Sequence, residues 1–323
     1  MSLAIVLPGM LTTVQDLGRR GYGEMGIPES GALDTYSLRI ANLLVGNDES
    51  EAGLEITVMG PTLEMLDDAV IAVCGGDLMP SVNGEPLPMW ESVGVHRGDR
   101  LAFLALRSGC RAYLAVAGGV RVPWVLGSKS TYVQGKLGGY EGRPLRMGDL
   151  IETGAPKTRL SGLAGRKTPT RAVPQYGSKQ QIRVVIGPQD DYFSRQGIET
   201  FLSSEYMLTP DANRLGYKLE GPRIEHGRAL DNISDPSPLG GIQVPPGGKP
   251  IILLVERGTV GGYTKIATVV SVDIAALGQA KPGDGLRFVS ISISDARRLY
   301  REREAVIASL RHLFEGPVRP GVG

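Results

Sequence analysis

The sequence predicts a mainly β fold, β-rich α+β, with two β-rich subdomains and few helices. Three observations predict it. Short runs rich in β-branched residues recur at 69–73, 101–106, 112–116, 182–186, 251–255 and 266–272, the spacing of strands in barrels and sandwiches. Punctuation is dense, with 45 Gly and 22 Pro breaking the 323 residues into short pieces. Only two stretches carry helical periodicity. In the first, 34–44, Leu38, Ala41 and Leu44 share a face and Gly46-Asn47 supplies the stop. The second opens at Ser294 as N-cap. Its stripe of Leu299, Tyr300, Val306, Ile307, Leu310 and Phe314 is expected to pack on a barrel.

The chain is long enough, at 41% hydrophobic content, to bury a core in each of two domains. The expected boundaries are an N-terminal β-rich subdomain at 1–153, a basic linker at 154–180, a C-terminal barrel at 181–290 and a helix with its tail at 291–323. The linker is expected because Lys157, Arg159, Arg166, Lys167, Arg171 and Lys179 stand there without an acid and with few large apolar residues. Its two sides echo each other. Gly60-Pro61-Thr62-Leu63-Glu64 is similar to Gly221-Pro222-Arg223-Ile224-Glu225, and Gly98-Asp99-Arg100-Leu101-Ala102-Phe103 to Gly283-Asp284-Gly285-Leu286-Arg287-Phe288. Gly-Gly-Tyr occurs at 138–140 and at 261–263. Three echoes in one order point to a duplicated β unit.

Composition excludes several function classes. With 35 basic against 34 acidic residues, no net field draws the chain to nucleic acid or to an anionic membrane. Cys74 and Cys110 are too few for a disulfide framework, which suits a reducing compartment. Pro8-Gly9 ends the first apolar run before it can act as a signal sequence, and no apolar run approaches the ~20 residues of a membrane helix. A cytoplasmic location is expected. His96, His226 and His312 stand far apart, so no metal site is expected. Gly127-Ser128-Lys129-Ser130 is not a Walker loop, since Val122 replaces its first glycine and the Gly-Lys pair is interrupted. No Ala-Met-Lys-Met setting for biotinylation is present.

Two polar constellations remain. The first runs from Thr12 through Asp16, Gly18, Arg19, Gly21 and Gly23 to Ser30 and Asp34. Its glycines permit close backbone approach, and Arg19 offers a planar fork for carboxylate or phosphate. The second joins Gln243 to Glu256-Arg257-Gly258-Thr259-Val260-Gly261-Gly262-Tyr263-Thr264-Lys265. There a glycine-rich turn can hold an oxyanion beside a cation, Lys265, and a base, Glu256. Lys129 with Ser130, and Gln189 in Gly187-Pro188-Gln189-Asp190-Asp191-Tyr192-Phe193, are weaker candidates for carboxylate recognition. For all four, a purely structural turn accounts for the same residues.

The motifs TTVQDLGRRGYG, IPESGALD, RIANLLVGN, LEITVMGPTLE, LAVAGGV, LGSKSTY, GGYEGR, IGPQDDYF, NRLGYKLEGP, IQVPP, GGYTKIATV and PGDGLRF follow one another over nearly the whole chain. In this order they resemble the allophanate hydrolase subunit 2 family, whose members are biotin-dependent carboxyltransferase-like and include the KipA proteins. The resemblance implies two cyclophilin-like β-barrel subdomains and a partner chain, a KipI-like B subunit, that completes the site. It further implies an activity of the ATP-dependent 5-oxoprolinase type, as the C subunit acting with a lactam-utilisation A subunit. Two alternatives stay open. One is a carboxyltransferase subunit of a urea carboxylase system fed with carboxybiotin by another chain; the other is a non-catalytic KipA-like binder. ATP is expected for the complex, and biotin only under the first alternative. The expected roles are Arg19, Lys129 and Lys265 as anion contacts, Ser30, Ser130, Gln189, Gln243 and Tyr263 as positioning groups, and Asp34 or Glu256 as base. Where the family often has Gln-Thr-Thr before Gly-Gly-Tyr, this chain has Gly258-Thr259-Val260, which removes hydrogen-bonding groups from the expected pocket.

Overall fold

The computed structural model describes residues 2–229 and 233–315; the tail expected at 316–323 lies outside them. The chain forms two compact units, one of Met1–Gly18, Thr35–Gln175 and Glu302–Gly323, the other of Arg19–Asp34 and Tyr176–Arg301.

In the first unit a six-stranded antiparallel sheet runs in the order Leu150–Glu152, Ser2–Leu7, Thr62–Met65, Arg100–Phe103, Pro80–Val82, Glu85–Pro86. A five-stranded antiparallel sheet runs Leu11–Gln15, Gly53–Thr57, Ser108–Val116, Ala69–Asp77, Ser92–Val95. Alternation decides what they share. Leu3, Ile5 and Leu63 from one sheet meet Leu54, Ile56, Ile71, Val73, Ala112 and Leu114 from the other in a single buried core. Helix α1, Thr35–Leu44, covers the two central strands of the five-stranded sheet with Leu38, Ala41 and Leu44 buried, as its periodicity predicts.

In the second unit seven strands close a barrel: Lys179–Ile186, Lys265–Val269, Gly241–Gln243, Ile251–Leu253, Gly216–Glu220, Glu205–Leu208 and Gly285–Ser290. Only the closing pair, Lys179–Ile186 with Gly285–Ser290, is parallel. The interior is filled by Ile182, Val184, Tyr206, Leu219, Ile252, Ile266 and Phe288, with Phe201 of α2, Arg195–Ser203, stacked 4.5 Å from Phe288. Helix α3, Ser271–Gln279, follows the strand Lys265–Val269.

One echo in the sequence is a shared turn. At Gly98-Asp99 and Gly283-Asp284 the glycine has φ of 91° and 89°. The aspartate side chain accepts from the backbone of His96 (2.7 Å) and Lys281 (3.0 Å), and the main chain exchanges two bonds with Met65 and Leu208 respectively. A third copy, which the sequence echoes do not include, is Gly148-Asp149: φ is 88°, Asp149 accepts from Arg146 N at 2.7 Å, and the main chain exchanges two bonds with Ile5. Glycine supplies the left-handed φ, and aspartate satisfies the turn amide. The echo at Gly60 does not extend to structure, since Thr62–Met65 is a strand and 221–225 is not.

Three expectations are corrected. The basic segment is a packed strap as far as Gln175, part of the first unit. It carries 3-10 turns at Leu160–Gly162 and Thr170–Ala172, buries Leu163 and Thr168, and accepts through Leu163 O from Ser92 Oγ at 2.7 Å. Low apolar content misled because one leucine suffices to seat a short strap. The second helix, α4, spans Ile293–Glu315 and is capped by Ser292, whose Oγ accepts from Asp295 N at 3.1 Å, rather than by Ser294. From Glu302 onward α4 belongs to the first unit rather than the barrel. Glu304 pairs with Arg39 at 2.6 Å, Arg311 with Glu49 at 2.8 Å, and the Arg303 guanidinium lies over Tyr36. Among the described residues no helix is long and apolar enough to cross a membrane.

Candidate functional site

Lys265 begins a barrel strand beside Gln243 and is buried with its ammonium group, its side chain only 1% exposed. A buried ammonium needs an acceptor. Asp235 provides it, in an ion pair with Lys265 Nζ. The carboxylate arrives on a two-stranded ribbon, Asp235–Pro236 against Val260–Gly261, in which Asp235 pairs with Gly261. Gln189 joins both partners: its Oε1 accepts from Lys265 N at 2.8 Å and its Nε2 donates to Asp235 Oδ2 at 3.5 Å. Its position follows from the turn after Lys179–Ile186, where Gly187 N donates to Ile266 O.

A second ion pair lies in the same unit. Arg214 Nε donates to Glu256 Oε1 at 2.6 Å, and Arg214 Nη2 donates to Gly31 O at 2.8 Å. Glu256, 4% exposed in its side chain, is thus held by a guanidinium that also grips the Ser30-Gly31 turn. Ser30 takes φ of 54°, its N–H donates to Val255 O, and its buried Oγ has no hydrogen-bond partner. Beside it, Arg257 donates to Ser237 O at 2.7 Å and approaches Glu29 at 3.5 Å; burial lowers its pKa, against the attraction of Glu29. Arg19 is buried and its N–H donates to Glu29 O at 2.6 Å. Asp34 is buried too, accepting from Gln279 Nε2 at 2.8 Å and Tyr176 OH at 3.2 Å. Tyr263, 48% exposed, stands on the turn before Lys265.

Lys129 and Ser130 lie in the other unit, buried among partners of their own. Asp16 accepts from Ser128 Oγ at 2.7 Å, Lys129 N at 2.6 Å and Ser130 Oγ. Lys129 Nζ pairs with Glu51 and donates to Val120 O at 3.0 Å. This network pins the long loop after Val116 onto the strand Leu11–Gln15, which is a structural task. The second unit holds two separate clusters, Lys265 with Asp235, Gln189 and the paired strand residue Gln243, and Glu256 with Arg214 and the Ser30-Gly31 turn. Asp235 sits in a Pro-Ser-rich stretch that reads as a loop; only its acid-before-proline turn hints at a fixed place. Arg214 lies in the Asn-Arg motif, yet nothing in the spacing of that motif marks it as a site residue.

In the first cluster the ammonium is enclosed and neutralised, and the Asp235 carboxylate, 35% exposed, is the group that solvent reaches. Among the described residues no group of three or more His, Cys, Asp or Glu could hold a metal ion.

Comparison with known proteins agrees with this architecture. Urea amidolyase of Lachancea kluyveri is 36% identical over 95% of this chain, and the 5-oxoprolinase C subunit of Escherichia coli is 35% identical over 95% of this chain and 97% of its own length. The crystal structure of K. lactis urea amidolyase superposes with a TM-score of 0.91 at 33% identity, covering 96% of this chain and 20% of that one. The chain spans only 18% of the length of the urea amidolyases it matches. The family model described as carboxyltransferase domain, subdomain A and B, matches residues 25–290, and the chain belongs to that family.

Proposed function

We propose that this chain is the C subunit of an ATP-dependent 5-oxoprolinase, opening a cyclic amide to glutamate together with partner subunits of the A and B type, in the cytoplasm. The observation that carries the reading is end-to-end correspondence: two proteins named as C subunits of 5-oxoprolinase are matched over 97% and 96% of their lengths. Opening a lactam adds water across its C–N bond, and ATP supplies the driving force when the complex holds it. This chain's contribution is electrostatic and positional. Lys265, buried and paired with Asp235, fixes that carboxylate and supplies positive charge beneath it. Asp235, whose side chain is 35% exposed, is the acid–base group placed to take a proton from water. Glu256, bound to Arg214, orients the Ser30-Gly31 turn rather than serving as base. Arg19 and Tyr263 are further candidates for substrate contact, and Asp34 is a structural acceptor for Gln279 Nε2.

A second reading is favoured by the 36% identity to urea amidolyase: a carboxyltransferase subunit of a urea system, with carboxybiotin delivered by another chain. Reconstitution of the complex with 5-oxoproline and with urea in parallel separates them. ATP hydrolysis coupled to glutamate release is expected with 5-oxoproline. Turnover of urea alone would overturn the first reading in favour of the second.

A further inference from the structure

The six cations of the basic segment have different fates. Lys157 pairs with Asp48 at 2.5 Å, Lys167 with Glu91 at 3.4 Å and Lys179 with Glu205 at 3.5 Å. Arg166 donates through Nη1 to Leu43 O at 3.5 Å. Arg159 stands exposed on the surface, whereas Arg171 lines a cavity of about 240 Å³ together with Arg303 of α4 and Tyr36 of α1. The cavity is built from three segments of the first unit. Tyr36 OH donates to Ala172 O at 2.7 Å, which ties the strap to the first turn of α1. The Arg303 guanidinium lies over the Tyr36 ring, 4.6 Å from its centroid, so a cation–π contact fixes its place. Val306, which shares a face of α4 with Arg303, joins Val173 and Pro174 of the strap in an apolar wall.

Among the described residues no acid lines the cavity, and neither arginine has an ion pair with a carboxylate. Glu304, which follows Arg303 in the chain, is already held by Arg39 at 2.6 and 2.7 Å. Two like charges on one cavity repel each other, and an anion between them relieves that repulsion. A guanidinium is a planar fork suited to phosphate or carboxylate oxygens. Charge chooses between these: a phosphate group carries about −1.5 to −2 near pH 7, and so balances both arginines, whereas a carboxylate balances one. The volume lies below the roughly 300–1,000 Å³ of sites for drug-sized ligands, so the occupant is small. We propose that Arg171 and Arg303 form a binding site for a phosphate dianion, either free phosphate or the phosphoryl group of a small monoester whose apolar body lies on Val173, Pro174 and Val306. This goes beyond the lactam reading and does not depend on it, since the cavity belongs to the first unit, and Lys265, Asp235, Arg214 and Glu256 to the second.

The full chain is titrated with inorganic phosphate and with propyl phosphate under ³¹P NMR, and its thermal unfolding is followed in phosphate and in chloride of equal ionic strength. Broadening of the ligand signal is expected, with a Tm at least about 2 °C higher in phosphate than in chloride. Tighter binding of propyl phosphate assigns the site to a monoester; equal or weaker binding assigns it to free phosphate. Arg171→Gln and Arg303→Gln should each weaken binding at least about tenfold. Arg171 is exposed and without an ion-pair partner among the described residues, so Arg171→Gln should leave Tm in chloride unchanged, which separates lost binding from lost folding. Arg303→Lys keeps the charge but not the fork, and should recover only part of the affinity. Displacement of phosphate by an equal concentration of acetate, binding that survives both glutamine substitutions, or a wild-type Tm no higher in phosphate than in chloride would overturn the site.

Discussion

The ammonium of Lys265, buried on a barrel strand, is neutralised by the carboxylate of Asp235 thirty positions earlier, and Gln189 hydrogen-bonds to both residues. The pair is asymmetric, because the lysine side chain is 1% exposed and the aspartate 35%. Removing the aspartate strands a buried cation, whereas removing the lysine leaves a carboxylate that water can reach. Asp235→Ala should therefore destabilise by about 3–5 kcal/mol and Lys265→Met by less. Denaturant unfolding of the two variants checks this order, and equal losses would contradict the asymmetry. Both variants should lower activity of the assembled complex at least about tenfold, or ~1.4 kcal/mol of transition-state binding.

Lys129 and Ser130 should behave in the opposite way. Asp16 accepts from Gly18 N, Ser128 Oγ, Lys129 N and Ser130 Oγ, so Asp16→Ala leaves several buried donors unsatisfied. A loss of about 3 kcal/mol or more is expected. Lys129→Met and Ser130→Ala should lower Tm while leaving KM of the complex unchanged. A KM rise without a Tm change in either would return these residues to the substrate.

The strands and the two expected helices are legible in the sequence because periodicity is local, whereas the glycine-rich stretch at 258–263, which reads as a turn, contains the ribbon strand Val260–Gly261. The strap at 163 is not legible, since its burial depends on Ser92, 71 positions away. The roles of Lys129 and Lys265 are equally opaque: both are lysines among glycines and hydroxyls, and only the fold shows that each is buried against a carboxylate, Glu51 for one and Asp235 for the other. Asp235 escapes notice because an ion pair between a loop and a strand leaves no spacing signature. The glycine–aspartate turn shows the converse. It can be read twice from its flanking strand pattern, but its third copy has Ile151 and Thr153 where the other two share leucine and phenylalanine, and loses the match.

Leu163 offers a direct test of the strap. It is buried, and one of its methyl groups would stand 2.6 Å from a Cβ added at Gly46. Leu163→Ala should cost about 2–4 kcal/mol and lower the unfolding midpoint of the first unit. A loss below about 0.5 kcal/mol would mean that the segment contributes nothing to that core.

Asp149 predicts an acid limit. Hydrogen bonds from Arg143 at 2.7 and 2.9 Å, and one from Arg146 N, hold its pKa below the ordinary carboxylate value despite partial burial. A depressed folded-state pKa means stability that is complete above the unfolded value near 3.8 and is lost as pH falls through the folded one. Asp149→Asn should lower stability at pH 7 and flatten the stability curve below about pH 4. Parallel curves for wild type and variant over that window would show that the carboxylate is not linked to folding.

Arg214 and Glu256 provide the last test, because their geometry separates charge from shape. The guanidinium donates at once to Glu256 Oε1 and to Gly31 O, and Gly31 follows Ser30, whose φ of 54° is unfavourable for a residue with a side chain. That conformation is maintained by the Ser30 N–H bond to Val255 O and by the grip of Arg214 one residue on. Arg214→Lys keeps the charge, but an ammonium cannot reproduce two donors in a fixed fork, so one of the two acceptors is released. The expected result is a kcat/KM loss of about tenfold with KM nearly unchanged, and a Tm decrease of a few degrees. Glu256→Gln should give a similar loss, since it frees the guanidinium to swing. If the two residues act as one positioning unit, the double variant is no worse than the worse single one, giving a large coupling in the double-mutant cycle. Additive losses, or a collapse of activity in Glu256→Gln with Arg214→Lys near wild type, would instead make Glu256 the base and Arg214 a bystander.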